Sequence, residues 1–252
     1  MSLIIAGRIE TGIVVAADSR HVCEGRDGPV LTDEEITIVP FPNRTVVAYC
    51  GDNTIDRKPA HEFLLSCRSE FGAECTIHDL PQRLLSAHDE GSYRTNTVLV
   101  IAGCKRHGPG AIYTLSMKRR TIEMLNTAYG YGFVSYGYND VARKMFDDVK
   151  HQHMTISECR TLINAVMEAS TLAYQYRPKA FVGGECGMYV ISPFENKTGW
   201  FRDGVIVPDE NASDHALDKF LEEKRNRYMA EYRAKKAKEA EADNGQGEEP
   251  VS

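Results

Sequence analysis

The sequence of 252 residues lacks several features that define large classes of proteins. It has no uninterrupted run of about 18 apolar residues, which a membrane-spanning helix requires, and no charged-then-apolar leader segment. Its seven cysteines are scattered, odd in number and without a C-x-x-C pair, which favours reduced cytoplasmic thiols over a disulfide or zinc framework. The eight histidines show no spacing typical of a metal site, and a net charge of −6 argues against a general nucleic-acid binder. These absences predict a cytoplasmic protein with no membrane or nucleic-acid partner, no metal and no cofactor.

The composition permits one large folded domain followed by a loose end. Apolar residues make up 42% of the chain, and single domains typically hold roughly 50–250 residues. We expect residues 1–210 to form that domain, residues 211–243 a charged helical extension, and residues 244–252 a disordered tail. The extension is rich in Ala, Glu, Lys and Arg, and its apolar positions thin out toward its end. This pattern indicates either a solvated helix that frays or a helix that docks a partner.

Apolar periodicity predicts the order strands, helices, strands, helices, strands. The predicted strands lie at 2–9, 13–17, 36–40, 44–50, 97–103, 111–117 and 121–125, the helical segments at 63–67, 81–86, 141–146 and 159–169, and a closing hairpin at 187–192 and 199–207. Thr155 and Glu158 form a predicted capping box at the start of the last helix. Because each sheet needs both faces covered, the order predicts an α+β protein with two sheets between helix pairs, a four-layer αββα sandwich.

The start of the chain gathers a hydroxyl, an amine, a carboxylate and a guanidinium. Met before a small residue is normally trimmed, so we expect the mature chain to begin at Ser2. Its hydroxyl and free α-amine can then act as nucleophile and base on one residue. The apolar runs on either side of a turn at residues 10–12 predict a hairpin. The returning arm brings Asp18 and Arg20 near Ser2, because strands rise about 3.3 Å per residue and the two arms have similar lengths.

This hairpin resembles the opening of proteasome β-type subunits, which are N-terminal-nucleophile (Ntn) hydrolases. The residues that carry the resemblance are Ser2, Gly12, the run Ala-Ala-Asp-Ser-Arg at 16–20, Gly51, Gly103 and the pair Gly183-Gly184. The resemblance extends, more weakly, over residues 2–207 and implies an Ntn-hydrolase fold that assembles into rings or other homo-oligomers. It also implies that Ser2 is the nucleophile and that Asp18 and Arg20 set the local charge. The Gly51 N–H would then hold the oxyanion.

The sequence departs from the family at its catalytic lysine. That lysine lies on the strand after the first hairpin, and the corresponding segment 33–39 contains none; Glu35 falls at or beside the position. A nearby carboxylate raises the pKa of an α-amine whereas an ammonium lowers it, so the exchange makes the amine a poorer base. A carboxylate with a raised pKa can itself accept the proton, which makes Glu35 a further catalytic candidate. The family's later serine, aspartate and serine correspond here to Tyr131, Lys179 and Val182.

Each candidate also has an interpretation without catalysis. Ser2 follows Met1 in many cytoplasmic proteins merely because a small residue suits removal of the methionine. Asp18 and Arg20 fit an ion pair at the end of a strand, and Gly51 fits a tight turn. Glu35 fits a solvated strand edge.

Three functions remain open from the sequence. The first is hydrolysis of a peptide or amide substrate by Ser2. The second is a catalytically silent structural subunit of a proteasome-like ring, with related subunits as partners. The third is hydrolysis or transfer on a small amide.

Overall fold

The computed structural model describes residues 2–25, 28–33, 35–71, 75–88, 95–104, 110–125, 131–147, 149, 153–175, 182–192, 197–202 and 205–208. In chain order the elements are β1 (Leu3–Ile9), β2 (Gly12–Asp18), β3 (His21–Gly25), β4 (Gly28–Thr32), β5 (Ile38–Phe41), β6 (Thr45–Cys50), β7 (Thr54–Ile55), β8 (Lys58–Pro59), α1 (Ala60–Phe71), α2 (Leu80–Ala87), β9 (Val98–Cys104), β10 (Gly110–Ser116), β11 (Thr121–Met124), β12 (Gly132–Gly137), α3 (Asp140–Phe146), α4 (Ile156–Gln175), β13 (Cys186–Ser192), β14 (Lys197–Arg202) and β15 (Val205–Pro208). The chain divides into units of residues 1–209 and 210–252. The second unit, with the predicted extension 211–243 and tail 244–252, lies outside the described residues.

Two large antiparallel sheets organise the first unit. The six-stranded sheet has the order β12-β1-β2-β13-β14-β15, and the five-stranded sheet has the order β11-β10-β9-β6-β5. The pairs β3–β4 and β7–β8 form separate two-stranded sheets. β1 and β2 pair in the register from Ile4↔Ala17 to Ile9↔Gly12, which confirms the hairpin predicted from the apolar runs. Both strands are central and buried, which explains why their sequences are nearly continuous apolar runs.

Successive side chains of a strand point to opposite faces, and the core divides accordingly. In β1, Leu3 and Ile5 pack in a cluster with residues of α3 and α4. Ile4 and Ala6 belong instead to a cluster with residues of β6, β9 and β13. The side chains of β6 alternate in the same way. Those on one face belong to the cluster shared with β1, and those on the other face pack with α1 and α2 in a third cluster. The protein is therefore an α+β protein with mostly antiparallel sheets and helices packed against them.

The long helix α4 begins at the predicted capping box, which the structure confirms. Glu158 Oε2 accepts hydrogen bonds from the backbone N–H and the hydroxyl of Thr155, both at 2.8 Å. The backbone N–H of Glu158 in turn donates to Thr155 Oγ1 at 3.2 Å. These bonds supply partners for the N–H groups that a helix leaves unpaired at its start. Among the described residues, no helix has the length and apolar composition needed to cross a membrane.

The structure also corrects the predicted elements in three places. The predicted closing hairpin is three strands, β13, β14 and β15, because the segment 199–207 turns back on itself. The strand predicted from residue 36 begins at Ile38, so Glu35 precedes it. The hairpin β3–β4, the short pair β7–β8 and the strand β12, which pairs with β1, were not predicted. The other predicted strands and helices within the described residues are confirmed, with shifted bounds.

Candidate active site

Ser2 lies at the entrance to β1 and is enclosed by the protein, with only 4% of its surface exposed. Its hydroxyl donates a hydrogen bond to the backbone carbonyl of Arg20 at 3.1 Å. Gly137 of β12 lies opposite Leu3 and has a φ of +88°. A Cβ at Gly137 would stand 1.7 Å from the carbonyl oxygen of Ser2, so only glycine lets β12 pass this close. The first residues are thus held between the end of β2 and the end of β12.

Asp18, the last residue of β2, presents a buried carboxyl beside the start of β1. It is 2% exposed. Its Oδ1 accepts the backbone N–H of Leu3 at 2.6 Å, and its Oδ2 accepts the backbone N–H of Gly183 at 2.9 Å. Burial raises the pKa of Asp18 from 3.8 to about 7, against the opposing effect of the two N–H groups. The carboxyl is therefore fixed by backbone donors and titrates near neutral pH.

Arg20 is held by Asp33 through a bidentate ion pair. Arg20 Nε contacts Asp33 Oδ1 at 2.6 Å, and Nη2 contacts Oδ2 at 2.7 Å. The hydrogen bond from Arg20 lowers the pKa of the Asp33 carboxyl below its ordinary value. A Cβ at Gly183 would lie 2.5 Å from Arg20 Cζ, so this glycine gives the guanidinium its space. The structure thus pairs Arg20 with Asp33, while the Asp18 carboxylate is bound by backbone N–H groups.

Ser19 ties the end of β2 to the two segments beside it. Its hydroxyl donates to the backbone carbonyl of Asp33 and accepts the N–H of Glu185 at 2.8 Å. Gly184, with a φ of +72°, lies against it: a Cβ there would meet Ser19 Oγ at 2.5 Å. The glycine pair at 183–184 is therefore explained by close packing around Ser19 and Arg20.

The segment where the resemblance predicts a lysine carries Thr37 at the contact with Asp18. Thr37 is buried, and its hydroxyl donates to the backbone carbonyl of Asp18 at 2.9 Å. Glu35 contacts the end of β2 through its backbone, whose N–H donates to the carbonyl of Ser19 at 2.9 Å. Its carboxylate oxygen Oε1 accepts the hydroxyl of Tyr49 at 2.7 Å and lies 3.8 Å from His61 Nδ1. The structure therefore brings the Glu35 side chain to α1 and β6.

Tyr49, whose hydroxyl donates to Glu35, is closed to solvent. It is buried, and burial together with the Glu35 carboxylate raises the pKa of its hydroxyl well above the ordinary value. The pair is thus a protonated phenol donating to a carboxylate.

Gly51 follows β6 in a backbone conformation that glycine favours. Its φ is +102°, and a Cβ would lie 2.1 Å from the carbonyl oxygen of Asn96. The preceding thiol, Cys50, has a pKa of about 12, which is raised chiefly by burial and further by the charge of Asp18. β6 ends at Cys50, which belongs to the same core cluster as Ile4 of β1 and Ala17 of β2, and Gly51 is the next residue.

The sequence identified part of this arrangement. It named Ser2, Asp18 and Arg20, which the structure brings together at the ends of β1 and β2. Asp33 and Thr37 were not predicted, although both lie in the segment 33–39, where the resemblance predicts a lysine. Among the described residues, no group of three or more His, Cys, Asp or Glu side chains could hold a metal ion.

Lys179, one of the positions aligned with the family's later residues, lies outside the described residues. Val182 is a buried core residue next to Gly183. Tyr131 lies beneath the guanidinium of Arg8, whose Cζ is 5.9 Å from the ring centroid.

Two Anbu structures are among the solved structures that are similar to this chain. One is the Anbu (Gly-1) mutant from Hyphomicrobium sp. strain MC1, with a TM-score of 0.61 and 15% identity over 100% of both chains. The other is the helical assembly of the Anbu complex from Pseudomonas aeruginosa, with a TM-score of 0.59 and 14% identity, covering 99% of this chain and 98% of that one. No protein-family model matches the chain, and no curated protein sequence matches it. At this level of identity the likeness shows that the chain shares the fold of these two Anbu structures.

Proposed function

We propose that this protein is a proteasome-like Ntn hydrolase that cleaves peptide or amide bonds with Ser2 as its nucleophile. The observation that carries the proposal is the buried carboxyl of Asp18, bound by two backbone N–H groups beside the first residues, with a pKa of about 7. Carboxyls perturbed in this way concentrate at functional sites. The proposal requires removal of Met1, because only then does Ser2 carry a free α-amine next to its hydroxyl.

In the proposed reaction, Ser2 Oγ attacks the carbonyl carbon of the substrate and its proton passes to the Ser2 α-amine. The hydrogen bond to the carbonyl of Arg20 fixes the hydroxyl beforehand. The Gly51 N–H is the proposed donor to the oxyanion, and loss of one such donor typically lowers rates about 10²–10³-fold. Collapse of the intermediate breaks the C–N bond, gives the proton to the leaving amine, and leaves an ester on Ser2. Water then attacks the ester, releases the acid and restores the hydroxyl.

The proton path differs from that of a site with a lysine. Thr37, which contacts Asp18, is uncharged and cannot lower the pKa of the α-amine. The Asp18 carboxylate stabilises the ammonium that forms on Ser2, and its own pKa of about 7 makes it a second proton acceptor. The proposal leaves Glu35 out of this path, because its Oε1 is bound to Tyr49.

Intact-mass measurement with an electrophilic probe tests the proposal. The purified protein is treated with a β-lactone or an epoxyketone, and we expect loss of Met1 and one adduct on the N-terminal peptide. Ser2→Ala should carry no adduct, whereas Ser69→Ala, which changes an exposed hydroxyl on α1, should label like the wild type. A retained or acetylated Met1, or a protein that neither labels nor cleaves a library of peptides and small amides, would contradict the proposal.

The second candidate is a catalytically silent subunit of a proteasome-like assembly. The observation that favours it is Thr37 at the contact where a catalytic ammonium would be expected. On this hypothesis the protein forms a defined oligomer and reacts with neither the β-lactone nor the epoxyketone. It also associates with a related subunit that carries all of the family's catalytic residues. Light scattering of the purified protein, combined with the labelling experiment, separates the two candidates.

We further propose a four-layer αββα stacking and assembly of several copies. The division of the core into two helix-facing clusters and one cluster shared by both sheets supports the stacking. The helical assembly of the similar Pseudomonas protein supports oligomerisation.

A further inference from the structure

The loop that follows β6 is tied to the segment before β9 by a compact set of hydrogen bonds. Asp52 Oδ2 accepts the backbone N–H of Asn96 at 2.6 Å. The backbone carbonyl of Asp52 accepts the hydroxyl of Thr97 at 2.8 Å. Both bonds fix the residue that directly follows Gly51, one through its side chain and the other through its main chain.

Two buried threonines extend this connection. Thr97 is 0% exposed and Thr95 is 6% exposed. Their hydroxyl oxygens lie 2.6 Å apart, and Thr95 Oγ1 also contacts the backbone carbonyl of Thr54 at 2.7 Å. The hydroxyls thus bridge two carbonyls of one loop, at residues 52 and 54, from a single adjacent segment.

Gly51 is enclosed between these bonds and the five-stranded sheet. On one side Cys50 pairs with Val98 in the ladder of β6 and β9. On the other side Asp52 is bonded to Asn96, whose carbonyl oxygen would be 2.1 Å from a Cβ at Gly51. The peptide groups around Gly51 therefore have little freedom to rotate.

We propose that Thr97 and Asp52 are positioning residues that hold the Gly51 N–H toward the Ser2 hydroxyl. This inference rests on the function proposed above, in which that N–H binds the oxyanion. A preorganised donor stabilises developing charge far better than one that must reorient during the reaction. Asp52 is an exposed side chain, so its bond to Asn96 contributes little to stability in water. The bond fixes the residue that directly follows Gly51.

The test compares inactivation kinetics of the full chain by a β-lactone, with kinact and KI measured separately. Thr97→Val removes the hydroxyl at nearly constant shape, and Asp52→Ala removes the side-chain acceptor. Misalignment of the donor should lower kinact by about 10- to 100-fold, less than loss of a whole oxyanion donor, with KI within about threefold. Thr97→Ser retains the hydroxyl and should restore kinact to within about threefold of the wild type.

The matched control is Asp79→Ala. Asp79 is also an exposed aspartate that accepts a backbone N–H and a hydroxyl, both from Thr76, and it belongs to the start of α2. Its loss should leave kinact unchanged.

The outcomes separate this inference from the proposed function. If wild-type Ser2 does not label, the proposed function fails and the inference fails with it. If the wild type labels and folded Thr97→Val labels at the same kinact, the positioning role is refuted while the nucleophile stands. Should Thr97→Val not fold, Asp52→Ala decides: wild-type kinact refutes the role, and a lowered kinact with unchanged KI supports it.

Discussion

The titration of Asp18 gives a quantitative test of the candidate site. The folded protein raises the pKa of this carboxyl from 3.8 to about 7, mainly because the group is buried. Between these values the unfolded chain has released the proton while the folded chain still holds it. Each unit of pH increase in this window therefore lowers the free energy of unfolding, by up to about 1.4 kcal/mol. The stabilisation is complete below about pH 4 and is lost as the pH rises through about 7.

The expected magnitude follows from the two pKa values. From about pH 5 to about pH 8, the Asp18 contribution to the free energy of unfolding should fall by about 2 to 3 kcal/mol. Asp18→Asn removes the titration. Its amide cannot accept both backbone N–H groups, from Leu3 and Gly183, and this adds a penalty that does not depend on pH. That constant penalty cancels when the difference between wild type and variant is followed with pH.

Urea unfolding of both proteins at several pH values measures this difference. The wild type should lose about 2 to 3 kcal/mol relative to Asp18→Asn between about pH 5 and about pH 8. Asp79→Asn is the control, because hydrogen bonds from Thr76 lower the pKa of that exposed carboxyl, so it is ionised throughout the range. Its difference from the wild type should stay flat. A flat difference for Asp18→Asn, or one of opposite sign, would refute the perturbed carboxyl.

Two further predictions concern packing at the site and the start of α4. Gly137→Ala places a Cβ within 1.7 Å of the Ser2 carbonyl oxygen and should lower the free energy of unfolding by about 3 kcal/mol or more. The control Gly187→Ala, whose added Cβ has its nearest atoms at 3.6 Å, should lower it by less than about 1 kcal/mol. Equal denaturant midpoints for the two variants would contradict this prediction. Thr155→Ala removes the capping hydroxyl and should cost about 1 kcal/mol, while Thr161→Ala, on the same helix, should cost clearly less, as thermal unfolding will measure.

Local sequence signals predicted the parts of the fold that depend on near neighbours. The hairpin of β1 and β2 has two apolar arms and a short turn, and the capping box involves residues three positions apart. The strand β12 was missed because its sequence, Gly-Phe-Val-Ser-Tyr-Gly, mixes glycines with aromatic residues and shows no clear alternation. Its position is determined by β1, a partner more than 120 residues earlier in the chain, through the register Leu3↔Gly137. Such a pairing depends on the whole sheet.

The same distinction explains what was predicted of the site. Asp18 reaches the Leu3 N–H at the start of β1 because of the register of one hairpin, which the sequence predicts. The N–H of Gly183 reaches Asp18 from 165 residues away, and no local pattern could assign that contact. Glu35 was named because the resemblance places the family's lysine at or beside it in the segment 33–39. The strand begins at Ile38, so alternation could not identify which residue contacts Asp18.

The energetics of Asp18 bear on the choice between an enzyme and a silent subunit. A carboxyl whose folded pKa is about 7 reduces stability at neutral pH, so a purely structural role gains nothing from its charge. Groups that are destabilising in the folded state are characteristic of functional sites, where chemistry requires them. The ion pair of Arg20 and Asp33, by contrast, satisfies both of its charges and fits either role. A protein that shows the expected loss of stability with pH but never reacts at Ser2 would hold this carboxyl without a chemical use. Assembly would then be the better account of its function.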